Sequence, residues 1–249
     1  MKFDEDFCEA AAECGLRSFI IMAGALDGKS VNSKLLSYEG PFGVGYAVAE
    51  YFVTGYDADR RFDQIFMEQE ERRLNDLKSE EDEYVRLARQ SLESYVVYHK
   101  KIKRAEDLNT ELLNKKAGVF VSLKMDGRLR GCIGTISPTK SCVADEIIQN
   151  AISAGTEDPR FYPVTEDELK RIIYSVDVLG KAEIIKSIDE LDVKRYGVIV
   201  TNGSRRGLLL PNLEGINTPK EQVSIALKKA GISPDENFIM ERFEVIRHK

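Results

Sequence analysis

The chain has 249 residues, 43% hydrophobic and 31% charged, with a net charge of −6, enough for one large domain or two modest ones, each with a real core. The acidic balance argues against nucleic-acid binding, which needs a clustered basic surface, although a local basic patch is compatible with it. Its start, Met1-Lys2-Phe3-Asp4-Glu5-Asp6, lacks the basic end and apolar core of a signal peptide, and no stretch approaches the ~18 apolar residues of a membrane span; a cytoplasmic protein with no membrane partner is expected.

Residues 7–25 read as a helix through Phe7, Ala10, Ala11 and Cys14, a stop at Gly15, and a buried strand Phe19-Ile20-Ile21-Met22-Ala23. A second apolar segment runs from Tyr38 to Tyr51. Its Gly43-x-Gly45 lacks the third glycine and the following helix of a dinucleotide-binding loop. From Asp57 to about Asp82 the sequence is dense in charge, with a thin apolar stripe through Phe62, Ile65, Phe66 and Leu74, and reads as a solvated helix or linker. The domain boundary falls here.

Tyr84, Leu87, Ala88, Leu92, Tyr95 and Val96 recur at helical spacing and form one apolar face, with His99 at the C-terminal end in a structural role. A hairpin follows: Ala117 to Lys124, the turn Asp126-Gly127, and the return strand Leu129-Arg130-Gly131-Cys132-Ile133-Gly134-Thr135. The Asp-Gly pair supplies the positive φ angles of a type I′ turn. Counting across a two-residue loop puts Cys132 opposite Val121 and Arg130 opposite Leu123. Arg130, Cys132 and Gly134 then share a face with Val119, Val121 and Leu123. Glycines inside a strand mark a bulge or a close approach to the backbone. Arg130 would favour a thiolate at Cys132, whereas apolar neighbours would raise the thiol, and a buried, inert Cys132 is the plain alternative.

Downstream, a helix runs through Val143, Ile147, Ile148, Ala151 and Ile152, with Cys142 packed in its first turn. Asp158-Pro159-Arg160-Phe161 is a loop, because Pro159 opposes helix continuation. Asp158 and Arg160 either staple that loop as an ion pair or leave Arg160 to grip a carboxylate or phosphate in two-point fashion. Thr165-x-x-Glu168 and Ser187-x-x-Glu190 are capping boxes. Strands are expected over 172–179, 196–201 and 243–246. Asn202-Gly203 turns toward Gly207-Leu208-Leu209-Leu210-Pro211, with Arg205 and Arg206 solvated in the turn or facing a substrate. Thr218-Pro219-x-Glu221 starts a helix that stops at Gly231. Short strands and helices without regular alternation predict an α+β fold, mainly antiparallel sheet with flanking short helices, plus a small N-terminal α/β remnant.

Four cysteines, Cys8, Cys14, Cys132 and Cys142, have no metal-knuckle spacing, and the two histidines, His99 and His248, make a histidine triad or multi-histidine metal site a poor fit. No metal or other cofactor is therefore expected.

The Leu-Arg-Gly-Cys-Ile-Gly-Thr heptapeptide resembles the signature of the AMMECR family. The likeness continues through Asp158-Pro159-Arg160-Phe161, Pro163-Val164, Glu168-Leu169, Gly203-x-x-x-Gly207-Leu208-Leu209-Leu210-Pro211, Gln222 and Lys228-Lys229-Ala230-Gly231, over about residues 83–249. The resemblance implies an α+β domain of unassigned reaction, working with MEMO-like and radical-SAM partners. Residues 1–56, with Cys14-Gly15-Leu16-Arg17, Gly24-Ala25-Leu26-Asp27-Gly28 and Gly40-Pro41-Phe42-Gly43-Val44-Gly45-Tyr46, are similar to the C-terminal tail of the class III extradiol dioxygenase and MEMO-like superfamily. That likeness would make Cys14 the heir of a metal-site cysteine, but the first histidine, His99, lies beyond the segment, so the remnant is not expected to bind iron alone. Its apolar strands would pack on the downstream domain, on another chain or on a second copy of this one.

Two functions are therefore carried forward. In one, Cys132 is a nucleophile or transient thioester carrier, Asp158 its base by proximity in the motif, and Arg130, Gly131, Gly134 and Arg160 bind a small anionic substrate. In the other, the same strand and loop form a non-catalytic groove for a peptide or small anionic ligand.

Overall fold

The computed structural model describes residues 15–40, 43–213 and 215–249. The expected Phe7–Cys14 helix, together with Cys8 and Cys14, lies outside them, as do Pro41 and Phe42. The chain divides into two compact units, one reaching to Asn75 and the other spanning Asp76–Lys249.

In the first unit, helix α1 (Leu16–Ala25) precedes strands β1 (Lys29–Glu39) and β2 (Tyr46–Tyr56), which pair antiparallel with irregularities at Ser30/Val31 and Leu35/Ser37. The strand expected over Phe19–Ala23 is thus helix, and Phe19, Ile20 and Ile21 are exposed. A short apolar run has no periodicity to separate a buried strand from a helical turn, and among the described residues no strand pairs with its backbone. Helix α2 (Phe62–Glu80) carries the charged segment. The Asp27 carboxylate accepts from the first amide of α2, Phe62 N–H, at 2.8 Å. Of the apolar stripe on α2, Leu74 is buried while Phe62, Ile65 and Phe66 are exposed.

The second unit opens with α3 (Glu83–Tyr98). Asp82 caps it by accepting from the Tyr84 and Val85 amides, and His99 ends it in the left-handed region. After the short α4 (Thr110–Asn114) come β3 (Val119–Met125), β4 (Arg128–Gly134), α5 (Val143–Thr156) and β5 (Ile172–Leu179). With β10 (Val245–His248) they form an antiparallel sheet in the order β10-β5-β3-β4. Val119, Val121, Leu123, Tyr174, Val176 and Val178 alternate along β3 and β5, and all face α3 and α5, where they build the main core with Leu92, Ile147 and Ala151.

The remaining strands β6 (Glu183–Ile185), β7 (Gly197–Asn202), β8 (Arg205–Leu209) and β9 (Ile239–Phe243) make a second antiparallel sheet, ordered β6-β9-β7-β8. Helix α6 (Pro219–Ala230) covers one face of it through Val223, Ala226 and Leu227 on Val198, Val200 and Leu209. Thr218, Pro219 and Glu221 form the expected start, a full capping box, and Gly231 ends the helix at φ 65°. The two sheets meet through a smaller apolar cluster of Leu179, Ile199, Leu208 and Phe243, joined by Phe120 and Val245. The fold is α+β, as the sequence pattern implies.

Candidate functional site

The hairpin that carries Cys132 closes through Asp126 and Gly127, at φ 52° and 74°, the paired positive angles of a type I′ turn. Met125 pairs with Arg128 and Lys124 with Leu129, but Leu123 then pairs with Gly131. Arg130 is therefore an extra residue, a β-bulge, and everything beyond it shifts by one position. Cys132 lies opposite Ser122, not Val121, and shares a face with Ser122 and Phe120. That face turns away from α3 and α5 and toward the seam between the sheets, so the face expected from loop counting is corrected. Next to Cys132 on this face stand Ser122 and, on β5, its partner Ser175; one step along stand Phe120, Asp177 and Arg247, joined by register.

The Cys132 thiol is partly buried. Ser122 Oγ donates to its sulfur at 3.2 Å. Burial pushes the thiol up; the Ser122 hydrogen bond and the Arg160 charge oppose that, and Asp177 and Asp158 reinforce it. Asp158, 4% exposed, accepts from the Cys132 amide at 2.8 Å and from Arg160 through its amide at 3.1 Å, Nε at 2.9 Å and Nη2 at 2.6 Å. The Arg160 hydrogen bonds outweigh burial and hold the Asp158 carboxyl at about 2. A carboxylate so stabilised is a poor proton acceptor at neutral pH. Arg160 in turn donates Nη2 to the Cys132 carbonyl at 3.2 Å. The ion pair thus clips the loop onto the backbone of the cysteine strand, while the Arg160 side chain keeps 54% of its surface in solvent.

Arg130 is turned elsewhere. It grips the Glu168 carboxylate with Nε at 2.8 Å and Nη2 at 2.9 Å, and its side chain is only 13% exposed. It therefore joins the bulge to the capping box of the Glu166–Glu168 turn, and its charge is used in that ion pair rather than at the sulfur. The Phe161 ring lies beside both guanidiniums, 5.9 Å from that of Arg130 and 5.5 Å from that of Arg160.

Gly131 faces the opposite side. A Cβ there would sit 2.1 Å from the Ala154 carbonyl oxygen, so what approaches this backbone is α5. Gly207 on β8 meets the Ala226 carbonyl of α6 in the same way, at 2.2 Å. Gly134 is covered by the Phe120 ring. The internal packing of the protein thus accounts for both glycines of the heptapeptide.

Two cations that the sequence reading did not assign to the site stand near the sulfur. Lys229, on α6, interacts electrostatically with Cys132 and Arg160. Its ammonium donates to the Leu208 carbonyl at 3.4 Å, and partial burial lowers its pKa. Arg247, on β10, is electrostatically coupled to Cys132 while it holds buried Asp177 at 2.7 and 3.0 Å. Arg160, Lys229 and Arg247 come from a loop, a helix and the last strand, and their convergence is a product of topology that spacing does not reveal. Cys142 is buried beside Arg104 Nη1, 2.9 Å away. Among the described residues no group of three or more His, Cys, Asp or Glu is placed to hold a metal ion, and no helix is long and apolar enough to cross a membrane.

An α+β domain with a cysteine strand clipped by an Asp-Pro-Arg-Phe loop defines the class. The AMMECR1 family model matches residues 85–248, and the chain belongs to that family. It is 49% identical over 247 residues to Protein CA_C1420 of Clostridium acetobutylicum, covering 99% of this chain but 52% of that protein. It is 52% identical over 171 residues to a protein of Thermotoga maritima, covering 68% of this chain and 98% of the other. The chain thus spans about half the length of the clostridial relative. The crystal structure of an uncharacterised protein of Pyrococcus horikoshii, PH0010, superposes with a TM-score of 0.62 at 33% identity, over 66% of this chain and 88% of that one.

Proposed function

We propose that the second unit, an AMMECR-type domain of about residues 83–249, carries thiol-dependent chemistry on a small anionic substrate. Cys132 supplies the reacting atom, Arg160 is the anion-binding group and Lys229 is a cation that favours the thiolate. The observation that supports this most is the gathering of Arg160, Lys229 and Arg247 around one partly buried sulfur. In this reading Asp158 is a positioning residue that fixes the loop and the Cys132 amide. Burial holds the thiol up, and the charges of Arg160 and Lys229 act against that burial to favour the thiolate. Arg130, Gly131 and Gly134 act as supports of the strand rather than as direct contacts to substrate.

The test is the rate of iodoacetamide alkylation at Cys132 against pH, read by mass spectrometry on the folded protein. The expected profile is slow near neutrality and rising in the alkaline range, with the midpoint moved upward in Lys229→Met. A Cys132 that stays unmodified in the folded protein across that range, or a Lys229→Met profile that superposes on the original, refutes the chemical reading. The raised thiol and the fully occupied Asp158 favour a second reading, in which the same cations hold a small anionic ligand without chemistry. Cys132→Ser then leaves ligand binding intact while Arg160→Met abolishes it.

For the first unit we propose that residues 1–56 are the closing segment of a MEMO-like domain, followed by the charged segment 57–82. The hairpin supports this by exposing Leu35, Leu36, Tyr38, Tyr46, Val48, Phe52 and Val53, since an isolated two-stranded ribbon is marginal in water. The greater length of the clostridial relative supports it too. The cover is a MEMO-like polypeptide acting with a radical-SAM protein, as the family resemblance implies, and a second copy of this chain is the competing cover. Light scattering of the purified protein with and without the MEMO-like polypeptide decides between them, because a homodimer that ignores the added polypeptide rejects the first.

A further inference from the structure

A cleft of about 380 Å³ opens at one end of the seam between the two sheets of the second unit, away from any role assigned above. Its wall is unusual for so acidic a chain. Lys115, Lys116, Lys181 and Arg206 line it, and none of its lining residues is a carboxylate. Lys115 is paired with Glu111 at 3.0 Å, and Arg206 donates to Ser137 Oγ at 3.1 Å and lies 3.4 Å from Glu241. The side chains of Lys116 and Lys181 are exposed and have no ion-pair partner among the described residues. The floor is apolar: Ile199 and Phe243, each 2% exposed, belong to the cluster that joins the sheets.

Like charges gathered in a concave, low-dielectric wall repel one another unless a counter-charge occupies the space between them. A volume of a few hundred Å³ with an apolar floor and a few convergent polar groups is that of a small-molecule site. The cleft is too small for a nucleic-acid groove, and because Lys115 and Arg206 already face Glu111 and Glu241, Lys116 and Lys181 are the two charges left to be balanced, one more than a single carboxylate supplies.

We propose that this cleft binds a small organic phosphate with at least two negative charges. Its phosphoryl oxygens lie on Lys116, Lys181 and Arg206, and its organic body lies over Ile199 and Phe243. Arg206 thereby acquires the ligand-facing role that its turn position leaves open.

The experiment is thermal unfolding of the full chain with millimolar ADP or inorganic pyrophosphate, at ionic strength held constant with potassium chloride. Both probes should raise Tm saturably, and Lys116→Glu with Lys181→Glu should weaken them about tenfold or more. Both lysines are exposed, so the double variant should keep the unliganded Tm. The absence of a saturable shift with ADP overturns the proposal, as does equal affinity in the double variant. A shift lost in Arg160→Met but kept in the double variant would move the anion to the cysteine strand and overturn it equally.

Discussion

Replacing Asp158 with Asn isolates the clip that holds the Arg160 loop to the cysteine strand. The carboxylate accepts four hydrogen bonds, from the Cys132 amide at 2.8 Å and from Arg160 at 3.1, 2.9 and 2.6 Å. Asparagine offers one oxygen in the same volume and turns an NH2 toward groups that are themselves donors, so about half of those bonds are lost. Bonds to a charged group contribute roughly 1.5–3 kcal/mol each, less where the partner is half in water as Arg160 is. The expected loss is about 2–3 kcal/mol of unfolding free energy at neutral pH. Linkage gives a similar figure: a carboxyl near the ordinary ~3.9 when unfolded and at about 2 when folded contributes on the order of 2 kcal/mol. Because the folded value is the lower one, that stability is fully present above about pH 4 and disappears as pH falls toward about 2. Urea titrations of both proteins between neutrality and pH 2 should therefore show a gap that closes on acidification. A gap under ~0.5 kcal/mol at neutrality, the level of an ordinary surface substitution, or one independent of pH, refutes the assignment of Asp158 as the clip.

Two further outcomes follow from packing and capping. Gly131→Ala forces a methyl group into the Ala154 carbonyl, 2.1 Å from its ideal position, and should cost about 1–3 kcal/mol or more; a urea midpoint that falls at constant slope confirms this, and an unchanged midpoint rejects the close contact. Asp82→Ala removes the cap of α3 and the hydrogen bond with His248 Nδ1, whose ring stacks on Tyr84 with centroids 3.8 Å apart. A loss of about 1–2 kcal/mol is expected, with faster amide exchange along Val245–His248, and a change confined to α3 would show that His248 does not depend on Asp82.

What the sequence reveals here depends on how local the cause is. Asp126-Gly127 dictates its turn through φ preference alone, and Thr218-Pro219-x-Glu221 dictates a helix start through side chains within reach of its own first amides. Both appear as read. The sidedness of Cys132 was not readable, because the bulge at Arg130 is fixed by the Glu168 carboxylate, thirty-eight residues downstream. The same holds for Lys229 and Arg247, brought to the sulfur by a helix and a strand from the far end of the chain. Asp158 and Arg160, two residues apart, were legible as a pair, and their alternative as a loop staple is what the geometry contains. Phe19–Ala23 misled because its hydrophobicity speaks to burial but not to backbone conformation.

The bulge makes the cysteine's position a matter of parity. Deleting Arg130 would remove the bulge yet keep Leu123 opposite Gly131 and Ser122 opposite Cys132, whereas taking Arg130 into the ladder opposite Leu123 would turn the sulfur toward α5. The side on which the sulfur emerges is therefore set by whether Arg130 stays outside the ladder: a replacement that let residue 130 pair with Leu123 would carry the thiol to the other face without changing the length of the strand.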